Sequence, residues 1–280
     1  MLDPRTTLAR GGVARSELEG LTPADRFVEV KGRACAAPRA AIRAGPESAA
    51  EQVDQLLFGE RFDVLDICEG YAMGQAARDG YVGWVETSAL AKVDQVPTHR
   101  VSALRTFAFA TPSIKSAYAG PYSLNALVTV VETDGPLAHA QDAGWIPRAH
   151  LTQIGEGFED PAAVAERFLG APYLWGGRDS LGLDCSGLVQ QAFYAAGWGC
   201  PRDADQQAGL GREIARVDLR RGDLVFWRGH VGMMVDASRF IHANGHHMAV
   251  VIEDLEVAVS RIAAAGSGAP TAFRRVNVGV

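Results

Sequence analysis

Three residues have the types and settings that amide chemistry needs: Cys185, His230 and His242. Cys185 stands in LDCSGLVQQAF, directly after Asp184. Asp is a favoured N-cap, so Cys185 falls in the first turn of a helix. The partial positive charge of a helix N-terminus stabilises a thiolate, the attacking species in cysteine chemistry. The negative charge of Asp184 works against that. Taken alone, Cys185 is either a nucleophile or a buried structural cysteine. His230 opens HVGMMVDA after the turn WRG. A thiol nucleophile needs a base that also protonates the leaving amine, and a histidine at a strand start can be held beside a helix terminus. The other reading is a surface histidine at a turn.

His242 lies in RFIHANGHHMAVV, where Asn244-Gly245 signals a two-residue hairpin. Alternation places Phe240 and His242 on one strand face. The strand from His230 is expected to pair with this one, so that His242 orients His230 through its second ring nitrogen. His246 and His247 follow the turn and are expected to be exposed. With His242 they lack a carboxylate or cysteine partner at helical spacing, and no HExxH occurs, so no metal site is expected.

The surrounding pattern supplies elements to hold these residues. Asp160 and Pro161 read as an N-cap and a first helical position, and PAAVAERFLG as a helix ending at Gly170. DCSGLVQQAFYAAG reads as a second helix, and GDLVFW, HVGMMVDA, RFIHA and MAVVIED as strands, an α+β arrangement. Upstream, FVEVKG, QLLFGERFDVLDI, YAMGQAA and YVGWVE are short alternating runs broken by Gly, Asp and Glu, which predicts a small β-barrel over 27–95. A second β-rich region, 96–152, contains HRVSALRTFAFA, SLNALVTVVET and GWIPRAHL. The two regions close alike, on DGYVGWVETSAL and DAGWIPRAHL, which points to a twofold repeat. Residues 1–26 are polar and read as an N-terminal arm or a short lead-in helix.

A chain of 280 residues, 48% hydrophobic and 21% charged, suits two or three folded domains rather than disorder. A net charge of -6 argues against a general nucleic-acid binder, which needs a basic face. No apolar run approaches the ~18 residues of a membrane span. MLDPRTTLARGGVARSELEG lacks an apolar signal core, so a cytoplasmic location is expected. Cys35, Cys68, Cys185 and Cys200 show neither CxxC nor zinc-ligand spacing and read as free thiols.

PYLWGG, DCSGLVQQAF, RDADQQ, RRGDLVFW, HVGMMV and FIHAN occur in this order. Together they resemble the NlpC family of papain-like cysteine peptidases, over about residues 155–280 of a catalytic domain placed at 153–280. The resemblance implies a Cys-His dyad with a third polar residue, matching Cys185, His230 and His242. The upstream half resembles the pair of bacterial SH3-like domains that precedes the catalytic domain in one subgroup. The fold expected from this is an α+β papain-like domain after two small SH3-like β-barrels. That subgroup cuts murein peptides between γ-D-glutamate and a diamino acid, in peptidoglycan recycling or turnover, and prefers a free N-terminal L-alanine.

Further roles follow from the same resemblance. Glu60, closing LFGE, and Tyr81, in DGYVGW, match residues that clamp the substrate ammonium; otherwise they are a strand-end charge and a barrel-core aromatic. Tyr173, in PYLWGG, would place its hydroxyl at the oxyanion beside the backbone N–H of Cys185. Asp184 and Ser186 would hold the substrate peptide, and Arg202 and Asp203, in PRDADQQ, would line the cleft or cap a helix. The expected partner is a murein peptide bound by a monomer, with no metal or organic cofactor. Two rival readings stay open: an acyltransferase or amidase on the same Cys-His fold, and a wall-binding protein whose SH3-like domains do the work.

Overall fold

Short alternating runs become strands throughout the computed structural model, which describes residues 2–93, 95–158 and 160–276. The chain divides into two units, Met1–Ile154 and Gly155–Val280.

In the first unit, one antiparallel seven-stranded sheet runs Leu90–Lys92, Lys31–Cys35, Arg61–Cys68, Tyr71–Ala76, Val82–Glu86, Arg39–Arg43 and Gln52–Leu57. Its inward residues, among them Cys35, Ile42, Leu56, Phe62 and Val85, form one core. The next region has a sheet of three strands, Leu127–Val128, His99–Val101 and Leu151–Gln153, and one of five. The five are Tyr118–Ser123, Arg105–Phe109, Gly144–Pro147, Leu137–Ala140 and Val130–Asp134. Leu57 and Phe58 pack with Val101, Tyr122, Val128 and Ile146, so the end of a first-region strand completes the second region's core. The two matching sequence endings fold alike. Val82–Glu86 runs through a 3-10 turn, Thr87–Ala89, into Leu90–Lys92, and Gly144–Pro147 runs through Arg148–His150 into Leu151–Gln153.

Residues 2–26, expected as an arm or a short lead-in helix, dock on the first sheet. Ala9–Arg10, Val13–Arg15 and Arg26–Val28 form a small sheet, and Leu8 is fully buried against Met73 and Trp84. The Val82 N–H donates to the Arg5 carbonyl at 2.8 Å, tying the segment to the first sheet. Scattered apolar residues without a clear period, such as Leu8, Val13 and Leu18, are too weak a pattern to announce this docking.

In the second unit, Asp160 caps Pro161–Glu166 by accepting from the Ala162 N–H at 3.0 Å. The helix stops four residues before Gly170, and turns complete the approach. Every residue of Cys185–Ala195 is buried. It packs on an antiparallel sheet of six strands: Arg212–Glu213, Ala272–Arg275, Leu224–Trp227, His230–Met234, Arg239–Asn244 and Ala249–Asp254. A further helix, Leu255–Ala264, buries Leu255, Ala258 and Ile262 against Val225, Trp227 and Phe240. Among the described residues, no helix is long and apolar enough to cross a membrane.

Candidate active site

Asp184 caps the Cys185 helix as its sequence position predicts, one carboxylate oxygen accepting the Gly187 N–H at 2.8 Å. Gly187 is required here: a Cβ would lie 2.3 Å from the Gly177 carbonyl oxygen. The helix start therefore sits hard against the loop after Tyr173. The other Asp184 oxygen accepts the Gly176 N–H at 2.9 Å, fixing that loop further.

Cys185 is buried at this helix start. Burial, then the charge of Asp184, pushes its thiol up to about 12. The backbone of Val231, next to His230, bonds to Cys185 and works against this rise, as does the charge of Arg202. Cys185 thus rests as a protonated thiol, and any reaction at its sulfur needs a base to take the proton.

Arg202 answers the charge of Asp184 beside Cys185. Its Nη2 lies 2.5 Å from Asp184 Oδ2 and its Nη1 3.0 Å from Oδ1, with a third bond of 2.8 Å to Ser186 Oγ. The side chain is 1% exposed. Asp184 and Ser186, expected from resemblance to hold the substrate peptide, and Arg202, expected to line the cleft, thus bond to one another beside Cys185. Asp203 starts the short helix Ala204–Gln207 in a capping box, its N–H donating to Gln206 Oε1 at 3.2 Å.

His230 opens its strand opposite Trp227, and that strand pairs with the one carrying His242 through Met233–Ile241 and Met234–Phe240. His230 Nε2 and His242 Nδ1 are 2.8 Å apart. Burial, with repulsion from His242 and Arg261, lowers His230 to about 3. Burial also lowers His242, against the pull of Glu253. Both rings are therefore neutral at rest, and Nδ1 is the His230 nitrogen left for a proton from elsewhere. Tyr173 is only partly buried. Burial, then the charges of Cys185 and Asp184, raises its hydroxyl, so it remains an O–H donor within electrostatic reach of the sulfur.

Two residues of this network are absent from the sequence reading. Glu253 Oε1 lies 2.7 Å from His242 Nε2, and Arg261 pairs with the same carboxylate. Burial opposes ionisation of Glu253, but its bonds to His242 and Arg261 outweigh burial and draw it down to about 2. The expected two-residue Asn244-Gly245 turn explains the omission. It would pair Ala243 with His246, whereas the observed register pairs Asn244 with Ala249 and Phe240 with Glu253. The loop is Gly245–Met248, and the left-handed position is Met248, at φ 51°, rather than a glycine. This four-residue difference in register preserves the strand faces but moves Glu253 beside the site.

His246 and His247 are exposed as expected. His242, His247 and Glu253 offer donor atoms within 4.8 Å of one another, so the carboxylate missing from the sequence-level histidine cluster is supplied by Glu253. A divalent ion there would have to take His242 and Glu253 from their mutual bond, Glu253 from Arg261 and His247 from Asn244.

Glu60 and Tyr81 belong to the first unit, each directly before a strand of the seven-stranded sheet. Glu60 is not a surface charge. It is 1% exposed, with Oε1 2.6 Å from Arg78 Nη1 and Oε2 accepting the Leu57 N–H at 2.9 Å. Tyr81 is also buried, and its N–H donates to Asp79 Oδ1 at 3.0 Å.

Comparison with known proteins agrees with this architecture. Residues 170–262 match the NlpC/P60 family and residues 42–90 the bacterial dipeptidyl-peptidase Sh3 domain. The gamma-D-glutamyl-L-lysine dipeptidyl-peptidase of Bacillus subtilis is 30% identical over 178 residues, 59% of this chain and 60% of that protein. The gamma-DL-glutamyl hydrolase of the same organism is 40% identical over 89 residues, 29% of this chain and 22% of that protein. The chain thus spans 60% or less of the length of these relatives. An NlpC/P60 family protein from Bacillus cereus superposes with a TM-score of 0.75 at 19% identity, over 88% of this chain and 99% of that one, a likeness of fold.

Proposed function

For a chain that joins an NlpC/P60 domain to a bacterial dipeptidyl-peptidase SH3 domain, we propose hydrolysis of the amide bond between γ-D-glutamate and a diamino acid in murein peptides, with Cys185 as nucleophile and His230 as base. The observation that carries this reading is the 2.8 Å bond from His230 Nε2 to His242, with the Val231 backbone against Cys185. It commits one ring nitrogen of His230 to a partner, and the residue next to His230 bonds to Cys185. The two relatives act, by name, on γ-glutamyl substrates, which supports the choice of bond.

In the proposed reaction the Cys185 thiol gives its proton to His230 Nδ1 as the sulfur attacks the γ-carbonyl carbon. The Cys185 backbone N–H and the Tyr173 hydroxyl would stabilise the oxyanion. His230 then protonates the leaving amine, the C–N bond breaks, and a γ-glutamyl thioester remains. Water attacks the thioester, losing a proton to His230, which returns it to the departing sulfur.

The proposed substrates carry a free N-terminal L-alanine. Glu60 and Tyr81 are the residues proposed to recognise its ammonium, a charge-assisted bond for the carboxylate. A role in recycling such peptides, as a cytoplasmic monomer, completes the proposal. Mass spectrometry of products from L-Ala-γ-D-Glu-L-lysine and its diaminopimelate counterpart tests it. The expected products are L-Ala-D-Glu and the free diamino acid, absent with Cys185→Ser. Cleavage at the L-Ala–D-Glu bond instead, or undiminished cleavage by Cys185→Ser, would overturn it.

A further inference from the structure

We infer that Glu253 is a positioning residue that sets the tautomers of both histidines, and that Arg261 tempers its charge. This rests on the proposed roles of Cys185 and His230.

An ionised carboxylate only accepts hydrogen bonds. The 2.7 Å contact from Glu253 Oε1 to His242 Nε2 therefore requires the proton of His242 to sit on Nε2. His242 Nδ1 is then a lone pair, and the 2.8 Å contact to it requires a proton on His230 Nε2. The remaining nitrogen of His230, Nδ1, is left as the base. With the opposite tautomers the chain reverses: His242 donates from Nδ1, His230 accepts at Nε2, and His230 Nδ1 already carries a proton. A His230 of that form cannot take the proton of Cys185.

A second neighbour pulls the wrong way. Asn244 Nδ2 is 3.0 Å from His242 Nε2, while its amide oxygen accepts the His247 N–H at 2.8 Å. An amide N–H directed at Nε2 favours a lone pair there, which is the unproductive tautomer. The contact to Glu253 is shorter and charge-assisted, so it prevails. Glu253 thus decides between competent and incompetent base. Its place follows from the hairpin, where it is directly across from Phe240 and diagonal to His242 on one sheet face.

Arg261 reaches back from the helix Leu255–Ala264 to the Glu253 carboxylate. It keeps that carboxylate ionised and also repels a proton on His230. The charged groups acting on His230 are His242 and Glu253, from the two strands beyond its own, and Arg261. His247 acts in turn on His242, and Asp184 and Arg202 act on Cys185 and Tyr173.

The test is ¹⁵N NMR of histidine-labelled full-length chain, without substrate, beside the pH profile of kcat/KM on the tripeptide. In the unsubstituted protein both His230 and His242 should read as Nε2–H tautomers. In Glu253→Gln a substantial Nδ1–H population should appear at both rings, with kcat/KM lower by on the order of 10²-fold, less than the ~10⁴ lost when the carboxylate holding a base directly is replaced by an amide. The His230 titration, and the acid limb of kcat/KM, should move to lower pH in Glu253→Gln and to higher pH in Arg261→Gln, each by up to about one pH unit. Glu253→Asp should restore the Nε2–H tautomers in part. A pair with a purely structural role would lower activity without opposite movements of the titration. Unchanged tautomers in Glu253→Gln, or movement in the same direction in both variants, would overturn the inference even where tripeptide cleavage stands. Correct tautomers and shifts in a protein that cuts no γ-glutamyl bond would leave the positioning role in place and remove the substrate reading instead.

Discussion

Arg202 Nη2 lies 2.5 Å from Asp184 Oδ2, with both side chains buried beneath the helix that begins at Cys185. This pair resolves a conflict visible in the sequence. The residue that caps this helix carries a negative charge next to a thiol that, in the proposed reaction, must lose a proton. Replacing Asp184 would forfeit the cap; pairing it with a guanidinium keeps the cap and offsets the charge. The fork geometry of Arg suits this, since both carboxylate oxygens are engaged at once.

Arg202→Met should accordingly act on stability and reactivity together. Removing one partner of a buried pair leaves an uncompensated charge and typically costs 3–5 kcal/mol. Urea unfolding should show a loss on the order of that size. In whatever fraction stays folded, iodoacetamide should alkylate Cys185 more slowly, because the unopposed Asp184 raises the thiol further. Arg202→Lys should recover part of the reactivity through its charge and less of the stability, having no fork. Stability within about 1 kcal/mol of the parent in Arg202→Met would show that the pair does not hold the site.

Alkylation also identifies the nucleophile. Cys35 and Cys200 are buried, whereas Cys68 is exposed. Iodoacetamide at limiting dose should abolish cleavage in step with modification of Cys185, and Cys68→Ser should leave that relationship intact. His230→Ala should nearly silence the enzyme, since loss of a general base costs about 10²–10⁴ in rate. It should also leave Cys185 alkylation to depend on ionisation of the thiol alone, so that the rate keeps rising toward high pH. His242→Gln should cost less, because an amide can still bond to the His230 ring. Inactivation that tracked Cys68 would move the nucleophile elsewhere.

The proposed nucleophile and base stand out in the sequence because each has a local signal: Asp184 before Cys185, and a glycine turn before His230. The path of the chain between them stands out less. Glu253 and Arg261 escaped because the Asn244-Gly245 pair invites a tight turn, while the hairpin is closed by a longer loop whose left-handed residue is Met248. Loop length sets register, and register decided which acidic residue met His242. The helix carrying Arg261 was equally hidden, being short and flanked by polar residues. Leu8 shows the same limit in the first unit, where it packs on Met73 and Trp84 from within a mostly polar segment.

The depressed His230 gives a signature in stability. Its ordinary value is 6.5 and the folded one about 3, so the unfolded chain binds the proton more readily. A group of this kind contributes stability that is complete above 6.5 and is lost as pH falls from there toward 3. The urea midpoint of the parent should therefore fall across that interval. His230→Gln should show a shallower fall in its upper half, where carboxylates such as Glu253, drawn down from 4.5 to about 2, do not yet contribute. Parallel pH profiles for parent and variant would mean that His230 is charged in the folded protein.

The first unit poses the sharpest question about specificity, because Glu60 is already paired. A carboxylate held by Arg78 at 2.6 Å can serve the barrel alone, or the barrel and an ammonium together. These alternatives separate in a comparison of L-Ala-γ-D-Glu-L-lysine with its N-acetylated form. An ammonium that loses its acceptor in a dry site costs on the order of 1–3 kcal/mol, so the free peptide should be cut about tenfold faster or more. Glu60→Gln keeps the volume and one acceptor oxygen but removes the charge; it should shrink that ratio chiefly by slowing the free peptide. Arg78→Met is the control. It breaks the same ion pair while leaving the carboxylate, so it should destabilise the protein yet preserve the preference for a free amine. Equal effects of the two variants on the ratio would assign Glu60 to the barrel alone and leave the terminal ammonium to be recognised by other residues.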